Sequence, residues 1–544
     1  MVVATKKKKS TCVLVGIAGS NNAFSLSLYN LKGFALQEST VRDQWKIKVI
    51  QHPLIAETTQ TAKIAALTES IVKSKPSLVG FSTYMWNVPI FRMIAASLRQ
   101  QLPTTSIVWG GPEIATEHIA EGKFDDLEAD YLIAGEGELT FRELLESHHS
   151  GAPDTESIHG LAWRGEDGGF VVNEKRHPFD SLLRIPSPFL SGVVDDEVLK
   201  RPKVEANIET QRGCNLRCSY CIYHKDMNKI SYSSTDRTLD EIRFVINKGV
   251  KRIRFVDANF TSDLEHAKTI MRAMIDARFE TRLMFELIPG FIDEELAALF
   301  GEFNSLYPWN DVTCGVGVQT INETVLKRIK RRIVKEKFEK TFDLLQKYGV
   351  FTKIDLIIGL PGEDLESIEA TQEYMLEQLS SGQRHLLCCH VMRGLPGTEL
   401  LQIAEDFEMR FSSENEPHEL VESPILPRED MIKCLRRTAI IFRLTNHEGW
   451  ADREFLSGRQ SEDLSVRDEF FKTRDALKTN NLGVIDKLIE HLSPSLEERG
   501  SAFTHPNFPA AETWWWNYSS MEIRNDEVVE ALRGMRGESA LVTS

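Results

Sequence analysis

The run "RGCNLRCSYCIYH", Arg212 to His224, places Cys214, Cys218 and Cys221 within eight positions, while the other five of the chain's eight cysteines are scattered. Eight cysteines without a regular disulfide spacing fit a reducing compartment, where thiols stay free for metal. Two kinds of centre could use this loop. A structural zinc ion takes four protein ligands, and His224 would have to be the fourth. Iron–sulfur clusters are held by cysteine thiolates, and a four-iron cube held by three of them keeps one iron open for a substrate. The absence of a partnering cysteine pair favours the cluster. Arg212, Arg217 and Lys225 flank the thiols, where they would favour thiolate and offset an anionic cluster.

Such a loop must be carried by a scaffold, and the sequence around it predicts one. Strand-like runs at Val204–Thr210, Arg252–Asp257, Thr281–Leu287, Thr313–Val318, Lys353–Ile358 and Leu386–Met392 alternate with amphipathic runs such as Leu239–Asn247 and Phe338–Tyr348. Six β/α units predict a parallel sheet curving into a partial (β/α)6 barrel, with chemistry at the C-terminal ends of its strands. The cysteines follow the first strand and so belong to that face.

Upstream, to about Glu146, a second α/β rhythm predicts strands at Thr11–Ile17, Lys46–Gln51, Leu78–Ser82, Ser106–Gly110 and Tyr131–Ala134, with helices such as Thr58–Ser74 and Pro89–Gln101 between them. This reads as a doubly wound, flavodoxin-like parallel sheet, whose ligand would sit beyond the strands' carboxyl ends. The loops there are "GFSTYMWN" (Gly80–Asn87), "GGPE" (Gly110–Glu113) and "GEGE" (Gly135–Glu138), and their glycines let backbone approach a large ligand. Residues 147–202 read as a connector that holds a hairpin, "LAWRGEDGGFVV". Beyond residue 400 the pattern is mainly helical, with Trp450 and Trp514–Trp516 as core or interface aromatics and a frayed end from Gly537.

At 544 residues the chain should hold more than one core. Its 42% hydrophobic and 27% charged residues are those of a soluble protein, and a net charge of −15 argues against nucleic-acid binding by bulk electrostatics. The start, "MVVATKKKKSTCVLVGIAGS", imitates a signal peptide, but Thr11–Ile17 is better read as the first strand. No apolar run approaches the ~18–20 residues of a membrane span. The expectation is a cytoplasmic protein.

The cysteine loop, with Tyr220 just before its last thiol, resembles the signature of the radical S-adenosylmethionine (SAM) superfamily, and Val204–Leu400 is similar to that family's core. The resemblance implies a 4Fe-4S cluster on Cys214, Cys218 and Cys221, with SAM bound to the open iron. In "FVDANF", Asp257 stands where the family binds the SAM amino group. "FELIPG" offers Glu286 for the ribose. "GVGVQTINETVLKRIKR" offers Gln319, and Arg331 for the SAM carboxylate. "DLIIGLPGED" offers Ile357 and Gly359 beside adenine, and "HVMRGLPGTEL" resembles the family's sixth strand ending.

Residues 11–146 resemble the cobalamin-binding domain fused to many radical SAM enzymes. That resemblance implies cofactor contacts from Ser82, Tyr84, Trp86 and Asn87, from Gly110, Gly111, Pro112 and Glu113, and from Gly135, Glu136, Gly137 and Glu138. Many such domains carry an Asp-x-His-x-x-Gly loop whose imidazole ligates cobalt. Here the loop is "GIAGSNNAFS" (Gly16–Ser25), so no protein imidazole is expected beneath cobalt, and Trp86 could cover the metal. His52 reads as a surface residue.

Together these resemblances imply a cobalamin-dependent radical SAM enzyme, most simply a C-methyltransferase. Its substrate would be a small metabolite or natural-product intermediate, and its electron donor a flavodoxin or ferredoxin. A cyclase, ring-contraction or rearrangement enzyme would share both cofactors. A tRNA methylthiotransferase would want further cysteines near its start, where only Cys12 occurs, and a basic tail. A non-catalytic cobalamin carrier or sensor would not need the cluster loop.

Overall fold

The computed structural model describes residues 9–18, 24–53, 60–148, 154–223, 229–331, 334–379, 385–412, 418–445, 466 and 469–498, and 525–542. Trp450, Trp514–Trp516, His224 and Lys225 lie outside them.

The first sheet contains β1 (Ser10–Ile17), β2 (Trp45–His52), β3 (Leu78–Ser82), β4 (Ser106–Gly110), β5 (Tyr131–Ile133), β6 (Leu161–Arg164) and β7 (Phe170–Val172), in the order β2-β1-β3-β4-β5-β6-β7. β1 to β5 are parallel. From Cys12 onward β1 is apolar because helices cover both of its faces, and Cys12, Val13, Leu14 and Val15 are buried. The helix Val88–Gln101 buries Phe91, Ile94 and Leu98 on one face of the sheet, at helical spacing. On the other, Leu28 packs with Phe141 and Leu144. The strand order reverses between β1 and β3, which opens the crevice where such sheets bind ligands.

One expectation needs correcting here. The hairpin does not belong to a connector: β6 pairs antiparallel with β5 and β7 with β6, so both extend the first sheet. The edge of β5 would otherwise be left with unpaired backbone groups.

The second sheet is formed by β8 (Glu205–Ile208), β11 (Arg252–Phe255), β12 (Arg282–Leu287), β13 (Asp311–Gln319), β14 (Phe351–Ile358) and β15 (His385–Val391), which are neighbours in chain order and all parallel. Between β8 and β11 a short antiparallel pair, β9 (Gln211–Arg212) and β10 (Ser231–Tyr232), closes the base of the cysteine loop. Outside the sheet the core is aromatic: Phe285 stacks on Phe255 at 4.6 Å, on Phe260 at 4.1 Å and on Phe300 at 5.4 Å. Each fully buried ring of this kind contributes about 1.5–3 kcal/mol, which fixes β11 and β12 against their helices.

A final pair, β16 (Arg410–Phe411) and β17 (Leu420–Glu422), precedes helices Arg428–Thr445, Asn481–Glu498 and Asn525–Val542, which pack beside the barrel. The last helix runs to Val542, past the expected fraying point at Gly537. Among the described residues, no helix is long and apolar enough to cross a membrane.

Candidate functional site

The cysteine loop opens against β13. Cys218 is buried, and Arg331 Nη1 donates to its Sγ at 3.5 Å and to the Tyr220 hydroxyl at 3.1 Å. Nη2 of the same guanidinium donates to the Gly317 carbonyl. Arg331 Nε is buried without a hydrogen-bond partner, which leaves an N–H beside the thiols in need of an acceptor. Burial raises the Cys214 thiol and pushes Cys221 up to about 11. Without metal these groups are therefore neutral, and a coordinating cation is what would deprotonate them. Among the described residues, no three His, Cys, Asp or Glu side chains converge on one ion position. Three thiols spread along one loop, with a buried cation behind them, fit a polynuclear cluster better than a single ion.

Arg212 does not serve the thiols as expected. Its guanidinium lies 2.8 Å from Glu136 Oε1, 3.1 Å from Glu138 Oε1 and 2.9 Å from Glu209 Oε2. Glu136 is in the loop after β5 and Glu138 in the first turn of the helix Gly137–His148 that follows it, so this residue ties the first sheet to the base of the cysteine loop. Arg331 and Arg217 are the cations that act on Cys214.

Between the two sheets lies a cavity of about 710 Å³. One wall carries Ser82, Tyr84 and Trp86 from the β3 loop, then Gly110–Glu113 and Gly135–Glu138. The other wall carries Tyr220, Cys221, Ile222 and Tyr223 of the cysteine loop. Tyr84 and Trp86 stack at 4.5 Å with an interplanar angle of 11°, and Trp86 Nε1 donates to the Ile17 carbonyl at 2.9 Å, giving a flat aromatic floor. Gly111 has φ +122°, and a Cβ there would run into the Thr83 carbonyl. Gly135, at φ +80°, needs glycine for its backbone alone. No histidine lines this cavity among the described residues. A broad, flat-floored cavity with glycine-lined walls fits a planar macrocycle such as corrin.

Asn87 is a correction. Its Oδ1 accepts from Tyr84 N at 2.8 Å and its Nδ2 donates to the Ser82 carbonyl at 3.0 Å, both within the loop, and the residue is fully buried. It shapes the β3 loop rather than facing the cavity. Tyr223 also lines the cavity and was not anticipated, since an isolated Tyr in a loop carries no distinguishing pattern.

In the barrel, Gln319 ends β13 at a register shift with φ +72°. Its amide and the Arg331 guanidinium both crowd the position where Gly317 would carry a Cβ. A non-glycine residue held there is strained by about 1–3 kcal/mol, a cost that tends to persist at functional sites. Glu286 projects over Gly315 and pairs with Arg254 at 2.8 Å. Ile357 is half-buried on β14, while Gly359 follows it at φ +82° with Leu420 of β17 against it.

Asp257 is the second correction. Its carboxylate accepts from Thr210 N at 2.8 Å, Thr210 Oγ1 at 2.5 Å and Gln211 N at 3.0 Å, and it is 1% exposed. Burial pushes it up to about 7 despite those bonds. It pins the passage from β8 to β9 and so holds the root of the cysteine loop.

The barrel also holds a polar group not foreseen. Lys353 Nζ lies 2.6 Å from Asp355 Oδ2, and His390 Nε2 lies 2.8 Å from Asp355 Oδ1. Burial opposes the Asp355 charge, but Lys353 and then His390 outweigh it and hold the carboxyl below the usual carboxylate range. Lys353 and Asp355 alternate along the otherwise apolar "FTKIDLII", and that period-two polar pattern was the available signal.

Residues 38–145 match the B12 binding domain and residues 208–375 the Radical SAM superfamily. The cobalamin-dependent radical SAM methyltransferase TokK of Streptomyces tokunonensis is 29% identical over 56% of this chain and 45% of its own length. The 2-(S-pantetheinyl)-carbapenam-3-carboxylate methyltransferase of Streptantibioticus cattleyicolor is 28% identical over 54% of this chain and 44% of its own. The chain thus spans under half the length of these two relatives. In fold it is similar to the cobalamin-dependent S-adenosylmethionine radical enzyme OxsB solved with aqua-cobalamin, with TM-score 0.63 and 15% identity over 98% of this chain and 84% of that one.

Proposed function

We propose that this chain, which joins a B12-binding domain to a radical SAM domain, is a C-methyltransferase acting on an unactivated carbon of a small metabolite or natural-product intermediate. One observation carries the reading: the cavity above the first sheet is closed on its far side by Tyr220–Tyr223 of the cysteine loop, so both cofactor positions open onto one space. When bound, the cluster and cobalamin would supply, respectively, reductive cleavage of SAM to a 5′-deoxyadenosyl radical and a transferable methyl group.

The chain's residues then position and exclude. Cys214, Cys218 and Cys221 would hold the cluster. The unpartnered Nε–H of Arg331 is suited to the SAM carboxylate, with Gln319 beside it and Glu286 one strand away for the ribose. The stacked Tyr84 and Trp86 would lie against the corrin face and keep water from it. Holding reactants in register in this way can be worth several kcal/mol of the barrier. The two methyltransferase relatives favour methyl transfer, and a flavodoxin or ferredoxin would supply the electron.

The test is to incubate the reconstituted, cobalamin-loaded protein anaerobically with SAM and a strong reductant and to quantify nucleosides. Both 5′-deoxyadenosine and cobalamin-dependent S-adenosylhomocysteine are expected. 5′-Deoxyadenosine alone would overturn methyl transfer in favour of rearrangement, and neither product from cluster-bearing protein would overturn the radical SAM reading.

A further inference from the structure

We infer that Arg212 is a positioning residue that couples the two cofactor sites, so that occupancy of the cavity and assembly of the cluster strengthen one another through its guanidinium. The inference rests on the cofactor assignments above.

Arg212 lies on β9, two residues before Cys214, and pairs with Ser231 of β10 at the far side of the loop. Its position therefore sets the base from which the three thiols project. Its partners sit on the first sheet's side: Glu136 in the loop after β5 and Glu138 in the first turn of the helix that follows both line the cavity. Their side chains are 13% and 8% exposed and that of Arg212 is 18%, so this is not an ion pair of the weak, solvated kind. The fork engages Glu136 with one terminal nitrogen and Glu138 with the other, a geometry that a single point charge cannot reproduce.

The cluster is also incomplete. Three carboxylates, those of Glu136, Glu138 and Glu209, surround one guanidinium, and burial pushes Glu136 upward. Phe179 N–H adds one donor to Glu136 Oε2 at 2.6 Å. Glu136 and Glu138 line the cavity, and the corrin periphery carries amide N–H groups of the kind carboxylates accept from. A ligand that orders Glu136 and Glu138 thereby orders Arg212, and with it the root of the cysteine loop. Because coupling between binding sites is reciprocal, an assembled cluster must tighten cobalamin by the same factor.

The experiment measures the affinity of hydroxocobalamin for the full chain, with and without reconstituted cluster, and iron retention with and without hydroxocobalamin. In the wild type, cluster assembly should tighten hydroxocobalamin by about fivefold or more, the lower end of common couplings. Arg212→Met should bring that ratio to one while each cofactor still binds, and Arg212→Lys should restore part of it. Glu138→Gln approaches the same contact from the other domain, should also reduce the ratio, and decides the matter if Arg212→Met does not fold. A wild-type ratio of one, or an undiminished ratio in Arg212→Met, would overturn the inference while leaving both cofactor assignments standing. Failure of the wild type to bind either group would overturn the assignments and the inference with them.

Discussion

The carboxylate of Glu286 occupies the space in which a side chain on Gly315 of the neighbouring strand would stand. Gly315→Ala must therefore push Glu286 aside and break its 2.8 Å pair with Arg254. If Glu286 holds the SAM ribose, the substitution should weaken SAM binding by about tenfold or more, the scale of one lost hydrogen bond to a charged group. Equilibrium dialysis of labelled SAM against cluster-loaded protein checks this, with iron content expected to stay constant. Unchanged SAM affinity would remove Glu286 from the binding site.

Gly111 supports the other cofactor in a comparable way. At φ +122°, with the Thr83 carbonyl against it, alanine costs about 1–3 kcal/mol in backbone strain alone. The relief available is a shift of the β3 loop that carries Tyr84 and Trp86. Gly111→Ala should lower hydroxocobalamin affinity without loss of cluster iron. An unaltered affinity would show that the aromatic floor does not contact the corrin.

Lys353 and Asp355 are each less than a fifth exposed. Lys353→Met leaves the carboxylate in the barrel with only His390, and loss of one partner from a buried pair costs about 3–5 kcal/mol. The urea midpoint of the barrel transition should fall accordingly. The double variant Lys353→Met/Asp355→Leu should recover part of the loss, because no buried charge remains. A double variant less stable than the single would contradict this account.

Asp257 and Glu363 give a pH signature. Burial raises Asp257 to about 7 and Glu363 to about 8, both above the ~4 of an unfolded carboxyl. A carboxyl whose folded value is raised stabilises fully below its unfolded value, and that contribution is lost as pH rises through the folded value. Apo protein should therefore lose stability between about pH 4 and 8, and Asp257→Asn, which keeps an acceptor for Thr210 and Gln211, should flatten the part of that slope below about pH 7. A steeper or unchanged slope in the variant would argue against the neutral Asp257.

Both sheets were legible because their strands are short β-branched runs separated by amphipathic helices, and burial on both faces enforces that pattern. The cysteine loop was legible because three thiols in one turn have few other uses. Individual ligands were harder to read. Asp257 follows a strand and Asn87 precedes a helix, places where a polar residue looks the same whether it faces a ligand or shapes a turn, and only the hydrogen-bond partners separate the two. The hairpin's place was hidden because antiparallel addition at β5 depends on an edge that no local pattern announces. Arg212 looked like a companion of the thiols because it is near them in sequence, but its side chain crosses to Glu136 and Glu138, about seventy-five residues earlier.

The central claim is that a methyl group passes from SAM to a substrate by way of cobalamin held in this chain. It is tested most directly by incubating cluster- and cobalamin-loaded protein anaerobically with SAM bearing a trideuteromethyl group and a reductant, then analysing the extracted cobalamin in the dark by mass spectrometry. The account predicts trideuteromethylcobalamin together with S-adenosylhomocysteine. Unlabelled cobalamin alongside accumulating 5′-deoxyadenosine would contradict it.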